Sequence, residues 1–576
     1  MNKYKFLVVT LLTFGVVMTA CKDEFLEVAP TNSLSSNELS TAAGLDGSVI
    51  GTYSVLLGRG GFYTDASNWF WGSVLGGDAN KGSDPGDQSQ VNEIQTYNPQ
   101  TTNASIRSKY ARVFEGIARA NATLRLANVA EETGSASTAA ITQARAEARF
   151  LRGHYYFDLK KIFNDVPYVD ETWDEISPIS NNTSLWPMIE ADFQFAADNL
   201  PATQSQAGRA NSWAARAYLG KAQLFQGNFA AARTTLNDVI ANGVTANGQP
   251  YALVANYADA FRSLTDNSAE SVFASQAAAG TGTINNANPG LVLNFPHGSA
   301  GPARPGGCCG FFQPSFELAN SFRTGADGLP LLDGSYNDAG NALVNDFGLA
   351  SGDAFTPDAG NLDPRLDHSV GRRGIPYLDW GPHPGNDWVR QASNGGPYSP
   401  KKFIYYQGGI GTENDGSSWT PGYTAVNYTI IRFADVLLMA AEAEIEVGDL
   451  NVALGYINQV RARAAASPVM LDDGSAPAAT YNVAQYTAFA DQAEARSAVR
   501  MERKLELSGE GHRLYDLVRW GIAASEINAF LAYESTLLSG AYTGASFTAG
   551  TNEYLPLPQS EIDLLGSDIL IQNPGY

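Results

Sequence analysis

Basic side chains, cysteines and long apolar runs are all scarce in this chain of 576 residues, and each scarcity closes off a class of function. Lys and Arg number 37 against 59 Asp and Glu, a formal charge of −22. Phosphate recognition needs a basic surface from which counterions are released, so nucleic acid is excluded as a partner. The three cysteines, Cys21, Cys308 and Cys309, cannot build a disulfide framework, and the adjacent two can form at most a strained vicinal pair. Apart from Phe6 to Ala20, no stretch approaches the ~18 apolar residues of a membrane span. His154, His297, His368, His383 and His512 form neither an HExxH pair nor a zinc-type Cys/His spacing. A GxSxG elbow and a phosphate-binding glycine loop are also missing, so no catalytic residue, metal or cofactor is expected. Charge is thin as well: Asp, Glu, Lys and Arg make up 17% of the chain, while aromatics reach 11%. A surface covered by Asn, Ser, Thr, Gly and aromatic rings suits neutral, hydroxyl-rich ligands.

What is present begins with an address. Lys3 and Lys5 precede the apolar run, which ends in Thr19 and Ala20 just before Cys21. A small residue followed by Cys is the cleavage pattern of a lipoprotein signal, with Met18 standing where Leu is commonest. Residues 1–20 are expected to be removed and Cys21 to be acylated on sulfur and amine. Two or more acyl chains anchor a protein stably in lipid where one does not. The remaining chain would carry 35 − 59 = −24, which does nothing to hold it to an anionic membrane.

Helical periodicity dominates two regions. Ile106, Tyr110, Val113, Ile117, Ala120 and Leu124 form one apolar stripe. Ile141 to Ile162 and Leu185 to Leu200 form two more, and each needs a neighbouring helix to cover it. Two further segments match each other. From Gly227 the offsets +2, +5, +9 and +12 hold Phe229, Ala232, Leu236 and Val239; from Gly448 they hold Leu450, Ala453, Ile457 and Val460. A helix, a glycine turn and a helix with a small residue at the crossing is a tetratricopeptide-like hairpin. Between the copies, from about Gly280 to Tyr428, the helical period fades into Gly, Pro and Asn with Trp380, Trp388 and Trp419. So long an irregular stretch inside a domain is expected to be a folded, functional, loop-rich insertion. The predicted fold is mainly α: a scaffold of helical hairpins carrying long loops, in a single domain over 21–576. Its N-terminal helical half covers about 27–240 and its C-terminal half about 270–576, with closing helices over 430–530.

These helices carry a set of recognisable strings. They are Lys22-Asp23-Glu24-Phe25-Leu26-Glu27, the run from Glu147 to Arg152 with Tyr155-Tyr156-Phe157, and the run from Phe163 to Pro167. The run from Ile431 to Glu442, Asn458 to Arg463, Glu502-Arg503, Glu510 to Trp520 and the closing Gln572 to Tyr576 follow in order. Together they resemble the SusD/RagB family over nearly the whole length. The resemblance implies a lipoprotein on the outer leaflet of the outer membrane, with the Asp23-Glu24 pair as a surface-sorting signal. It implies a nutrient-binding protein, for glycans in most members and peptides in some, acting as a lid on a SusC-like TonB-dependent transporter. It also implies that the charged cluster of Glu502, Arg503, Glu506, His512, Arg513, Asp516 and Arg519 is structural, because members share it without sharing a ligand. Arg432 and Asp435 fall under the same reading.

Ligand residues do not follow from the resemblance and rest on local chemistry. A sugar packs its C–H face on an aromatic ring and needs planar polar partners for its hydroxyls. Asn68-Trp69-Phe70-Trp71 offers rings that strand-like alternation would place on one side, as a binding platform or equally as a core face. Arg372, Tyr377, Asp379, Trp380 and Trp388 offer rings, a guanidinium and a carboxylate within a loop. Trp186, Trp213 and Trp520, on helices, are assigned to the core. The ligand candidates are therefore Trp69, Trp71, Asp78, Arg372, Tyr377, Asp379, Trp380 and Trp388. The oxygen-rich run of Asp78, Asn80, Asp84 and Asp87 lacks the spacing of a calcium loop and suits a solvated turn. The expected function is glycan capture without catalysis, with peptide cargo or a glycosidase built on Asp379 and Asp387 as rivals.

Overall fold

The computed structural model describes residues 36–174, 176–298 and 303–576. Cys21 and the signal segment lie outside the described residues. The chain is mainly helical, as the periodicity predicts. Helix α1 (Ala42–Tyr53) leads into the long pair α2 (Ala104–Thr133) and α3 (Thr138–Phe163). Each of the two opens on a polar cap: Asn103 accepts hydrogen bonds from the Ser105 and Ile106 amides, and Ser137 from that of Ala140. Their apolar stripes face each other, with Ile106, Ile117, Ala120 and Leu151 buried at the contact. The chain continues as α4 (Trp186–Asn199), α5 (Ser212–Phe225) and α6 (Phe229–Asn242), each packed on the helix before it.

After the loop-rich stretch come α7 (Phe433–Val447), α8 (Leu450–Ala465), α9 (Gln492–Glu506), α10 (Arg513–Arg519) and α11 (Ala523–Leu537). The two matching segments are indeed hairpins, α5–α6 and α7–α8, and they lie side by side because α7 packs on α6. Ala232, Leu236 and Val239 are buried in one, Ala453, Ile457 and Val460 in the other. The two turn glycines serve different needs. Gly227 adopts φ +73°, a left-handed conformation that glycine enters without penalty. Gly448 has φ −122°, and a side chain there would strike the Glu444 carboxylate, which receives the Asp449 amide.

Strands are few and short, and they act as clasps. Strand β1 (Ala79–Gly82) pairs antiparallel with β3 (Phe311–Pro314), which joins the Trp69–Gly82 region to the Cys308-Cys309 segment. Strand β2 (Ser271–Ser275) pairs antiparallel with β4 (Tyr428–Arg432), with Ser275 opposite Tyr428. The loop-rich stretch thus leaves and re-enters the scaffold at one point.

Beneath it lies a buried ionic core. Arg365 is held by Asp363, Glu502 and Glu506; Arg432 by Glu270, Glu506 and Glu510. Arg461 bonds Glu502, Arg463 bonds Glu270 and Glu506, and Lys402 bonds Glu510. These five cations face five carboxylates, so the cluster is neutral as a whole. Burial alone would push the Glu506 carboxyl up, but Arg463, Arg432 and Arg365 together hold it well below the usual range. Arg503 likewise bridges Asp435 and Asp516, and Arg519 bridges Asp516 and Glu442. Within the charged cluster of the sequence, Glu502, Arg503, Glu506, Asp516 and Arg519 thus form structural ties among α7, α8, α9, α10 and the insertion.

Candidate functional site

The structure divides the sequence candidates into buried and accessible residues, and most are buried. Trp69 and Trp71 do not lie on a strand. They occupy a π-helical turn (Trp69–Val74), each 1% exposed, and their indole N–H groups donate to the carbonyls of Phe62 and Tyr63. Edge-on contacts with Phe311, Phe312 and Tyr63 complete a core cluster, so neither ring is free for a ligand. Asp78 is buried too. Its Oδ2 accepts the Gly509 amide at 2.9 Å, and burial pushes the carboxyl up to about 6. Arg372 donates to both oxygens of the buried Asp367, at 2.6 and 2.8 Å. Tyr377 is fully buried and donates its hydroxyl to the Pro400 carbonyl. Trp388 is 1% exposed, with Tyr377 and His383 edge-on at 5.3 and 5.2 Å. The expectation that these six contact ligand is corrected: each is covered by a segment distant in sequence or by its own loop.

Asp379 and Trp380 remain accessible. Asp379 is exposed, and its two oxygens accept the amides of Gln407 and Gly408 at 2.6 and 2.8 Å. Trp380 is half-buried, donates to the Tyr405 carbonyl at 3.1 Å and meets the Tyr405 ring edge-on at 5.9 Å. From Tyr405 a chain of bonds runs outward. Its hydroxyl accepts the Gly306 amide at 2.8 Å, and the Gly306 carbonyl accepts from the Thr420 hydroxyl. The neighbouring Trp419 is 55% exposed and donates its N–H to the Tyr423 hydroxyl at 3.1 Å. Asn414 pins the same loop by donating to the Pro421 carbonyl and accepting the Gly411 amide. Segments 303–310, 377–390 and 403–424 are therefore joined by these bonds, and the last two carry two accessible indoles. Cys308 and Cys309, in the first, are joined by a disulfide. His297 lies alongside, its Nδ1 3.0 Å from the Gly307 carbonyl.

Trp419 is exposed but is absent from the sequence candidates. Its flanks, Ser417-Ser418 before and Thr420-Pro421-Gly422 after, are small and polar and offer nothing to cover a ring. That was the available signal.

The oxygen-rich run is a turn closed on itself. Asp84 accepts the amides of Gly86 and Asp87, Lys81 donates to the Asp84 and Asp87 carbonyls, and Arg390 pairs with both carboxylates. Among the described residues no group of three or more His, Cys, Asp or Glu is arranged to hold a metal ion. His383 and Ser399 stand 2.9 Å apart in the manner of a base and a nucleophile. The Gly385 amide donates to His383 Nδ1, which leaves the ring proton on Nε2 facing Ser399, so this imidazole cannot take the hydroxyl proton. Both side chains are buried.

The comparisons with known proteins agree with this architecture. A model described as the SusD family matches residues 269–576, and one described as starch-binding associating with outer membrane matches residues 24–224. SusD-like protein P2 of Formosa agariphila is 25% identical over 591 residues, covering all of both chains. SusD-like protein P25 of the same organism is 26% identical over 419 residues, 70% of this chain and 68% of its own. A SusD superfamily protein from Bacteroides vulgatus superposes with TM-score 0.66 at 21% identity, covering 93% of this chain and 99% of that one. A laminarin-binding SusD-like protein does so with TM-score 0.64 at 23% identity, covering 93% and 99%. The surface glycan-binding protein A of Bacteroides thetaiotaomicron, in complex with laminarihexaose, gives TM-score 0.61 at 18% identity over 92% and 99%. With a family model spanning more than half of its length and the same fold in solved relatives, this chain belongs to the SusD family.

Proposed function

We propose that this protein is a lipid-anchored, glycan-binding protein of the outer membrane that captures polysaccharide or oligosaccharide without cleaving it. It passes the glycan to a SusC-like TonB-dependent transporter beneath it. The observation that carries the reading is the loop surface with Trp419 exposed and Trp380 half-exposed, set among amide and hydroxyl groups. Such rings offer shallow stacking faces for the C–H side of a sugar, each giving modest affinity. Relatives described as laminarin-binding and as bound to laminarihexaose make a neutral β-glucan the first ligand to try. The engagement of Asp379 with two backbone amides and the tautomer of His383 argue against a hydrolytic role.

Affinity electrophoresis in gels containing laminarin or other neutral polysaccharides tests this directly. The protein should be retarded by at least one glycan and should release no reducing sugar. Trp419→Ala and Trp380→Ala should each weaken retardation several-fold, as the loss of one stacking ring worth about 1 kcal/mol implies. Unchanged retardation in both variants would move the site elsewhere. Binding of peptides with no glycan retarded would change the cargo, and sugar release abolished by Asp379→Asn would make the protein an enzyme.

A further inference from the structure

A second concavity opens between α9, the N-terminal end of α11 and the segment 332–337. It is a polar cleft of about 390 Å³, within the size range of small-ligand sites, and shares no lining residue with the loop surface. Three cations, Arg500, Lys504 and Arg513, line it beside the carboxylates of Glu317, Asp333 and Glu526. Lys504 is already engaged by Glu317 and the Tyr336 hydroxyl. Arg513 is different: its side chain is 11% exposed and pairs at 3.6 Å with Glu526, itself 47% exposed. Among the described residues the Arg513 side chain makes no hydrogen bond. Arg500 also has neither ion pair nor hydrogen bond there, and stacks on the Trp520 ring at 5.1 Å with Arg519 over the same ring at 4.9 Å. Burial pushes the Arg500 guanidinium down from its ordinary value, and the neighbouring Arg519 adds to this against the pull of Glu442.

A guanidinium carries five N–H donors, and one this deeply buried is almost always satisfied. Arg365, Arg432, Arg503 and Arg519 are each surrounded by carboxylates. At Arg513 the donors face the cleft and have only the long Glu526 pair within the chain, so an acceptor that enters the cleft can engage them. A planar fork of donors matches a planar carboxylate in two parallel hydrogen bonds. The other walls, Met501, Ile522 and Phe530, present apolar surface that suits the C–H face of a ring. We infer that this cleft is a second binding site, which takes a carboxylate-bearing sugar unit of an acidic glycan through Arg513, with Arg500 as the supporting cation.

The test is a calorimetric titration of the mature protein with an oligogalacturonate, a neutral oligosaccharide of equal length and a sulfated one. Uronate should bind, with affinity falling as salt rises. Arg513→Gln should weaken uronate binding at least ten-fold and Arg500→Gln several-fold, with neutral-glycan binding unchanged. Trp419→Ala should retain uronate binding, which separates failure of this site from failure of the loop surface. If Arg513→Gln does not fold, the half-exposed Arg500→Gln decides alone. Absence of uronate binding, unchanged affinity in the folded variants, or binding of the sulfated oligosaccharide only would overturn the assignment.

Discussion

His383 sits between Tyr377 and Trp388 with a backbone N–H aimed at its Nδ1, and among the described residues no carboxylate compensates a positive ring. Burial, reinforced by Lys401, pushes it down to about 3. The unfolded chain would take up a proton near pH 6.5, where the folded ring stays neutral. Stability from this group is therefore intact above pH 6.5 and is lost as pH falls toward 3, by up to about 1.4 kcal/mol per unit. Urea midpoints at pH 7 and pH 5 should show the loss, and His383→Gln should reduce the difference by roughly 2 kcal/mol. A milder effect or none would mean that the ring is reached by water. Trp388 and Trp419 make the complementary pair. Trp388→Ala should cost about 3–5 kcal/mol in chemical denaturation, as removal of a buried indole does. Trp419→Ala should leave the midpoint within about 0.5 kcal/mol while weakening glycan retardation. Both are loop tryptophans in Gly- and Pro-rich stretches, and nothing within five residues of either distinguishes them except the small, polar flanks of Trp419.

At the scale of elements, the ionic core beneath the insertion is a device for alignment. Glu506 on α9 touches Arg365 of the insertion, Arg432 before α7 and Arg463 on α8. Replacing a buried ion pair by apolar groups is often harmless, whereas removing one partner strands the others. Glu506→Gln leaves three guanidinia short of a charge and should cost about 3–5 kcal/mol, measured by thermal or urea unfolding. A loss below about 1 kcal/mol would show that the network relaxes around the vacancy. The sequence displayed the Glu502-to-Glu506 spacing of one helix face, but not that Arg365, more than a hundred residues earlier, completes the set. Helices α2, α3, α4 and α6 were legible as stripes because an amphipathic period is a local property. The π-helical turn at Trp69–Val74 was not, since six residues hold too little period to separate a turn from a strand.

For the whole molecule, the anchor and the charge make separate demands. An acidic body has no electrostatic hold on an anionic membrane, so the proposed attachment rests on acyl chains at Cys21. Washing membranes with molar salt should leave the protein bound, and detergent should release it. Cys21→Ala should abolish labelling by radioactive palmitate and move the protein to the soluble fraction. Salt release of the unaltered protein would refute lipid anchoring. Among the described residues no helix is long and apolar enough to cross a membrane. Antiparallel β2 and β4 close the base of the insertion, while the Arg390 pairs with Asp84 and Asp87 fasten its rim to the N-terminal half.

By itself the sequence determined the helical scaffold, the kinship of two hairpins 221 residues apart, the family and the lack of catalytic spacing. These are properties of period, offset and order, which a linear chain carries intact. Only the tertiary structure decided which loop aromatics face water and which guanidinium keeps its donors open. In irregular chain, exposure depends on whether a distant segment happens to lie on top. Trp388 is covered by Tyr377 and His383, Trp419 is not, and Arg513 is enclosed by helices that bring it only the long pair with Glu526.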